Sequence, residues 1–338
     1  MKLYCGIDLH SNNSVVSVIN ELDRVIYEKR LPNDLATIRN ALQPHQDALA
    51  GVVVESTYNW YWLVDGLIDS GFDVRLANTV AMKQYNGLKY TDDKTDARYL
   101  AHLLRLGILP EGYVYPFDMR CVRDILRRRL LLVRQRVMQH LSVQSLIARH
   151  TGKQLTGPQI KKLQTNDLGK LLTHASAQLS AHIALELMRT VAEAIERIER
   201  NVAAYCQPTQ GYDIITSVPG IGPIIGQSIL LESGPIERFP SVNDYASYAR
   251  CVPSTKLSNG KKKGEGNRRN GNKYLGYAFM EAAHYAPIWE PKIKRYYQRK
   301  TARTHKMVAK KAVANKLAKA CYHMLTRNEP FDVNRVFA

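Results

Sequence analysis

Short apolar strand patterns that alternate with helical patterns are the feature that most constrains the first third of the chain. Strand patterns cover residues 3–7, 14–19, 24–29, 51–54 and 73–77, and helical patterns cover 34–43, 60–70 and 94–106. Three strand patterns in close succession are typical of an antiparallel meander. Strands separated by helices add to a sheet in parallel. The sequence therefore predicts an α/β fold with a mixed sheet.

Two carboxylates directly follow strand patterns in this region. Asp8 follows the first strand, and Glu55 follows three consecutive valines. Open sheets bind ligands at the carboxyl ends of their strands, where such residues lie. Asp93 and Asp96 share one face of a predicted helix because they are three residues apart. Four such carboxylates could bind two Mg²⁺ or Mn²⁺ ions about 3.5–4 Å apart, an arrangement that cleaves phosphodiesters.

Other interpretations of these acidic residues stay open. Asp93 and Asp96, with Asp92, could cap the helix N-terminus, where acidic side chains are favoured. Asp8 could belong to an actin-like ATPase fold, which also opens with Gly-Ile-Asp. That fold needs a second glycine-rich phosphate loop, and the sequence has no such loop before residue 200.

The middle of the chain, residues 118–206, is predicted to be helical. Apolar residues recur at helical spacing over 122–149 and 179–205, which predicts a helical hairpin or coiled coil. Simple packing and self-association both explain this pattern.

Residues 207–338 contain a mainly helical pattern with two glycine-rich segments. Val218-Pro219-Gly220-Ile221-Gly222 precedes a helix and resembles the turn of a helix-hairpin-helix element, although a tight turn between helices explains it equally well. The segment 253–271 is predicted to be a loop in which Ser254 and Ser258 lie among cations, and an ordinary loop serine is the alternative to a nucleophile. The candidate nucleic-acid-binding residues are Gly220, Gly222, Lys261, Lys262, Lys263, Arg268, Arg269 and Lys273.

The net charge of +18 indicates a polyanionic partner. An anionic membrane surface is the competing explanation, and the specific acidic residues favour nucleic acid. Basic helices over 291–325, with Tyr296 and Tyr297 among the cations, also favour it over a merely solvated face. Five scattered cysteines argue against a zinc site and a disulfide framework. With no apolar run of about 20 residues, we expect a cytoplasmic protein that does not span a membrane.

Taken in order, these motifs resemble the DEDD-type insertion-sequence transposases, a family that includes the bridge-RNA-guided recombinases and the pilin-gene invertase. The resemblance implies a RuvC-like, RNase H-like domain over residues 1–117, a coiled coil over 118–206 and a C-terminal transposase domain over 207–338. It implies that Asp8, Glu55, Asp93 and Asp96 form the metal-binding acidic tetrad. The family's serine follows a proline by five residues, which selects Ser258 after Pro253. The family has Gly after this serine, whereas this chain has Asn259, and Ser254 is the alternative nucleophile.

The implied activity is Mg²⁺-dependent exchange of DNA strands through a covalent serine–DNA link. The implied partners are double-stranded DNA, a structured guide RNA and further copies of the chain, as homodimers that pair into homotetramers on the bacterial nucleoid. Three alternatives remain: a Holliday-junction resolvase that needs only the tetrad and water, a DNA invertase with the same chemistry, and an architectural protein that binds nucleic acid without cutting it.

Overall fold

The computed structural model describes residues 1–82, 93–207, 209–253, 255–265 and 270–338, with the backbone alone at 255–258, 262 and 265. The chain divides into two compact units, Met1–Val114 and Tyr115–Ala338. The first boundary lies close to the predicted one at residue 117. A further division of the second unit at residue 206 stays a prediction. None of the described helices combines the length and the apolar composition that crossing a bilayer requires.

The first unit contains a six-stranded mixed sheet in the order β3-β2-β1-β4-β5-β6. Strands β1, β2 and β3 are antiparallel, β4 and β5 add in parallel, and the short β6 is antiparallel to β5. This confirms the predicted meander and the parallel additions. The elements are β1 (Leu3–Leu9), β2 (Asn13–Asn20), β3 (Val25–Pro32), α1 (Leu35–Leu42), β4 (Leu49–Glu55), α2 (Tyr61–Asp69), β5 (Val74–Ala77), α3 (Asp93–Arg105) and β6 (Glu111–Gly112).

Helices cover both faces of this sheet, and strand alternation decides which residue faces which helix. Cys5 and Ile7 of β1 join a core with Leu63 of α2, while Val53 of β4 packs against Leu100 of α3. Even-numbered residues of β1 and odd-numbered residues of β4 therefore face α3.

The second unit opens with two long helices that pack along one another. They are α4 (Phe117–Thr151) and α7 (Ala175–Cys206), joined through α5 (Gly157–Lys162) and α6 (Thr165–Leu171). The end of α4 packs against the start of α7 through Ile147 and Ala181, and Leu126 near the start of α4 shares a core with Val202. The helices are therefore antiparallel, which confirms the predicted helical hairpin.

The remainder of this unit is mostly helical around a second core that includes Ile215, Phe279 and Leu317. Its elements are α8 (Gln210–Thr216), α9 (Pro223–Ser233), α10 (Val242–Tyr248), β7 (Thr255–Ser258), β8 (Lys261–Glu265), α11 (Lys273–Trp289), α12 (Pro291–Thr301), α13 (Lys306–Arg327) and α14 (Val333–Phe337). Part of the predicted 253–271 loop is thus a β-hairpin, and the prediction of a loop was wrong there.

A buried polar network fixes the start of α11, just after this hairpin segment. The Glu232 carboxylate is 2% exposed and accepts two 2.6 Å hydrogen bonds from the Arg127 guanidinium. It also accepts a 2.7 Å bond from Asn272 Nδ2. Asn272 in turn caps α11 by accepting from two backbone amides. Because a buried charge is tolerated only when paired, this network links α4, α9 and α11.

Candidate functional site

Asp8 and Glu55 lie beside one another at the carboxyl ends of two neighbouring strands. Strands β1 and β4 are parallel, with Ile7 opposite Val54, so the next residue along each strand is one of these carboxylates. Alternation puts both on the sheet face that α3 covers. Asp8 is only 3% exposed. The sheet therefore presents two carboxylates side by side, each near the strand end at which the sequence pattern placed it.

Helix α3 carries Asp93 and Asp96 in its first turn and packs tightly on this face. The tight packing depends on Gly6. A Cβ atom at Gly6 would lie 2.0 Å from the backbone oxygen of Ala97 and 2.8 Å from the backbone nitrogen of Ala101. Only a residue without a side chain permits this approach. Gly6 thereby sets the height of the helix above the strand that carries Asp8.

His10 joins the carboxylates, and the sequence analysis did not single it out. Its Nε2 atom lies 3.3 Å from Asp8 Oδ2 and 3.6 Å from Asp93 Oδ2. Two amide donors, from Asn33 and Asn59, bind the His10 backbone carbonyl at 3.0 Å each and hold the turn in place. The signal in the sequence was its position two residues after Asp8, which continues the same face of the strand.

A cationic side chain stabilises the ionised form of Asp93. Arg30 Nη2 donates to Asp93 Oδ2 at 2.6 Å, and Arg30 Nη1 donates to Asn13 Oδ1 at 3.0 Å. The hydrogen bond from Arg30 and the nearby His10 hold the pKa of Asp93 below its usual value. Asp93 is therefore an ionised carboxylate near neutral pH.

The donor set fits a divalent cation. One ligand atom each from Asp8, His10 and Asp93 lies within 4.8 Å of the others. The buried Nε2 atom of His10 has no hydrogen-bond partner among the described residues, which leaves it available as a ligand. Carboxylate oxygens suit Mg²⁺ and Mn²⁺, and Mn²⁺ also accepts imidazole. Glu55 lies on the same face of the sheet as Asp8. Asp96 lies in the same turn of α3 as Asp93.

The serine segment forms the hairpin of β7 and β8. Ser258 is paired with Lys261 across a two-residue turn, in which Asn259 and Gly260 have φ values of 53° and 72°. Positive φ at both positions is typical of the Asn-Gly turn that closes tight hairpins. Lys261 and Lys263 are exposed. The side chains of Ser258 and Lys262, and all of Ser254, Arg268 and Arg269, lie outside the described residues, so their assignments stay predictions.

The segment Val218–Gly222 forms a turn between α8 and α9. Gly220 has a φ of 87°, and a Cβ atom there would lie 2.4 Å from the backbone nitrogen of Ala286. The turn is thus clamped directly against α11. Gly222 is the exposed N-cap residue of α9 and has no side chain with which to cap the helix. The exposed Lys273 begins α11.

Two aromatic residues that the sequence analysis grouped with the basic helices have another role. Tyr296 contacts the Phe337 ring, with centroids 5.4 Å apart, and both Tyr296 and Tyr297 pack against the core of the second unit. Both rings are therefore partly buried against the core, and their contact with nucleic acid stays a prediction.

Two family models match the chain, in the order in which their motifs occur. The model described as Transposase, of the DEDD IS110 type, matches residues 5–151. The model described as Transposase IS116/IS110/IS902 family matches residues 212–298. A curated relative, the "Insertion element IS110 uncharacterized 43.6 kDa protein" of Streptomyces coelicolor, is 30% identical over 116 residues. That stretch is 34% of this chain and 29% of the relative, so it spans less than a third of that protein. The first match includes Asp8, Glu55, Asp93 and Asp96. The second match includes the Val218–Gly222 turn and the serine hairpin. Because both models and the curated relative are of the IS110 type, the chain belongs to the DEDD-type IS110 family of transposases.

Proposed function

We propose that this protein is a DNA recombinase that excises and inserts a mobile element. The observation that carries the proposal is the cluster of Asp8, His10 and Asp93 at the carboxyl end of the sheet. Buried or closely spaced carboxylates are costly unless they bind a cation or a counter-charge. An RNase H-like fold for the first unit is part of the proposal and is supported by the strand order and the first family match.

In this proposal Asp8, Glu55, Asp93 and Asp96 hold Mg²⁺ or Mn²⁺, and His10 is an additional ligand. A bound divalent cation would supply Lewis-acid stabilisation of the charge on a DNA phosphate. Arg30 is half exposed beside Asp93 and is placed to pair with a phosphate oxygen, as guanidinium groups do. The residues of the first unit thus bind and orient the phosphate.

The nucleophile in this proposal is Ser258. Its Oγ forms a bond to phosphorus as the bond from phosphorus to one deoxyribose oxygen breaks. The serine loses its proton, the released sugar oxygen gains one, and the DNA stays attached to the protein as a phosphoserine ester. The reverse reaction with a second DNA end completes strand exchange without an external energy source. Exposed Lys261 and Lys263 beside the turn would stabilise charge on the phosphate.

The proposed partners follow from the charge and from the family. A net charge of +18 suits double-stranded DNA on the nucleoid and a structured guide RNA from the flank of the element. Gly220 and Gly222 would bring backbone amides to a phosphate. Assembly as homodimers that pair into homotetramers belongs to the same proposal.

Trapping of covalent protein–DNA adducts tests the chemistry. The full chain is incubated with Mg²⁺, DNA carrying the element ends and RNA transcribed from the flank, then denatured and separated by size. We expect adducts with the wild type and with Ser254→Ala, and none with Ser258→Ala or Asp8→Asn. Adducts that persist in Ser258→Ala would refute the serine assignment.

Other outcomes separate the alternatives. Cleavage of a four-way junction to free ends, without an adduct, would instead establish a resolvase. If recombination is unchanged in both Asp8→Asn and Glu55→Gln, the protein would instead be an architectural one that binds nucleic acid without cutting it. Omission of the RNA tests the guide separately from the chemistry.

A further inference from the structure

The C-terminal end of α11 exposes an unusual group of large apolar side chains. Trp289 is 71% exposed, Ile288 is 64% exposed and Tyr285 is 43% exposed. Tyr285 and Trp289 are four residues apart and therefore lie on the same face of the helix. Tryptophan side chains are usually largely buried, and clustered exposure of this kind marks a binding surface.

These two rings line a cleft of about 560 Å³ together with the Val218–Gly222 turn. The turn packs closely beside the rings, because Gly220 approaches the backbone of Tyr285 and Ala286 with no room for a Cβ atom between them. Among the described residues, no charged side chain lines this cleft. The cleft therefore combines flat aromatic surfaces and a fixed rim of backbone.

The chain that follows the cleft is strongly cationic. Residues 291–328 contain twelve lysines and arginines and no aspartate or glutamate. The nearest carboxylate, Glu290, accepts a 3.0 Å hydrogen bond from the Lys292 amide as the N-cap of α12. The next helix begins at Pro291, directly after Trp289. A ligand with both anionic groups and flat apolar faces is complementary to this surface, and nucleic acid with unpaired bases has both.

We propose that Trp289, with Tyr285, stacks on unpaired bases of a single-stranded nucleic acid whose phosphates lie against the basic helices α12 and α13. The inference deepens the proposed function and depends on it only for the natural source of the strand. Stacking accepts any base because every base has a flat face. Duplex DNA does not fit the cleft in the same way, since its bases are covered by their neighbours.

The test measures the affinity of the full chain for fluorescent twelve-nucleotide strands by anisotropy, using oligo-dT and oligo-U. We expect Trp289→Ala to weaken binding about 5- to 150-fold, the range for stacking of one base, and Trp289→Phe to keep most of the affinity. Phe117→Ala is the matched control, because Phe117 is another aromatic residue of this unit that is 65% exposed. The ratio of the two wild-type affinities assigns the strand as DNA or RNA.

Two further comparisons separate stacking from charge. A strand of the same length with abasic sites keeps its phosphates, so we expect it to bind the wild type and Trp289→Ala equally. The slope of log affinity against log salt should be the same in both proteins, whereas Lys294→Ala should make it shallower by about 0.7, the contribution of one phosphate contact on a single strand. Equal losses on the abasic strand or on duplex DNA would overturn the proposal. The proposal would also be overturned if Trp289→Ala bound the single strand with the affinity of the wild type. A variant that changed only in its oligomeric state would overturn it as well.

The outcome is independent of strand cleavage. Binding of the single strand should be the same with Mg²⁺ and with a chelator at matched ionic strength, whereas adduct formation should need Mg²⁺. If no adduct forms but Trp289→Ala still weakens binding of the single strand, the recombinase proposal is refuted and the stacking site is supported.

Discussion

Replacement of Gly6 by alanine tests whether the packing of α3 on β1 sets the geometry of the acidic cluster. The new Cβ atom would lie 2.0 Å from the Ala97 backbone oxygen, whereas ordinary contacts are 3.4–4 Å. Relief requires a separation of about 1.4 Å between helix and strand, the difference between these distances. Neither partner is the end of a flexible side chain, so the backbone of α3 has to move.

The expected magnitudes follow from that displacement. Overpacking of this kind lowers the free energy of unfolding by about 1–3 kcal/mol. Metal–ligand distances tolerate changes of about 0.2 Å, so a shift of Asp93 and Asp96 by more than an ångström should abolish joint binding with Asp8. A misplacement of about 1 Å in a reacting centre costs about 100-fold in rate. Loss of cation affinity should therefore exceed what the loss of stability explains.

The assay is titration of the full chain with Mn²⁺, in which the electron paramagnetic resonance signal reports the free ion, alongside urea unfolding. Gly51→Ala is the control, because the nearest atom to its Cβ would be the terminal methyl group of Leu104 on the same helix, at 3.2 Å, and Asp73 would lie at ordinary contact distances of 3.6 and 3.9 Å. We expect Gly6→Ala to fold, to lose at least tenfold in Mn²⁺ affinity and to form few adducts, while Gly51→Ala resembles the wild type. Unchanged Mn²⁺ affinity in Gly6→Ala would refute the reasoning.

Three further outcomes are expected. Arg127→Met leaves the buried Glu232 carboxylate without its guanidinium counter-charge and should cost about 3–5 kcal/mol in urea unfolding, whereas Arg335→Met, which removes an exposed ion pair with Glu329, should cost about 0–1 kcal/mol. The hydrogen bond from Arg98 lowers the pKa of Glu28, so this pair should stabilise the fold above the usual glutamate pKa and lose that effect as the pH falls through the lowered value. Between pH 3 and 7, the free energy of unfolding of Arg98→Met should depend less on pH than that of the wild type. An unchanged pH dependence would contradict a stabilising role for the Arg98–Glu28 pair. Cys121 alone among the five thiols is exposed, so a disulfide reagent at pH 8 should modify one thiol rapidly, and a second fast thiol would count against the described burial.

The placement of Asp8 and Glu55 at the carboxyl ends of their strands was predictable from local information, whereas their side-by-side position depends on the pairing of β1 with β4. Each carboxylate comes directly after a run of buried residues near the end of its strand, and parallel strands end at the same edge of a sheet. The spacing of Asp93 and Asp96 likewise fixed their common helix face. Their distance from Asp8 was not predictable, since it depends on the close approach at Gly6 across about ninety residues of sequence.

Three features escaped the sequence analysis for identifiable reasons. His10 lies in a polar segment that reads as a turn, and its contact with Asp93 is made only by tertiary packing. The β7–β8 hairpin is rich in lysine, asparagine and glycine, which are depleted in strands. Helix α11 includes Pro287, a residue that usually ends a helix, and it is tolerated here within three residues of the helix end. Local propensity is a weak guide where tertiary contacts dominate.

The ion pair between Arg30 and Asp93 has a consequence for handling the protein. This carboxylate already has a counter-charge within the fold, so its ionisation does not depend on an added cation. Under the proposed function, we therefore expect folding of the first unit and binding of the cation to be separate events. A chelator should stop adduct formation reversibly while the sheet and its helices stay folded. A zinc finger, by contrast, unfolds when its ion is removed.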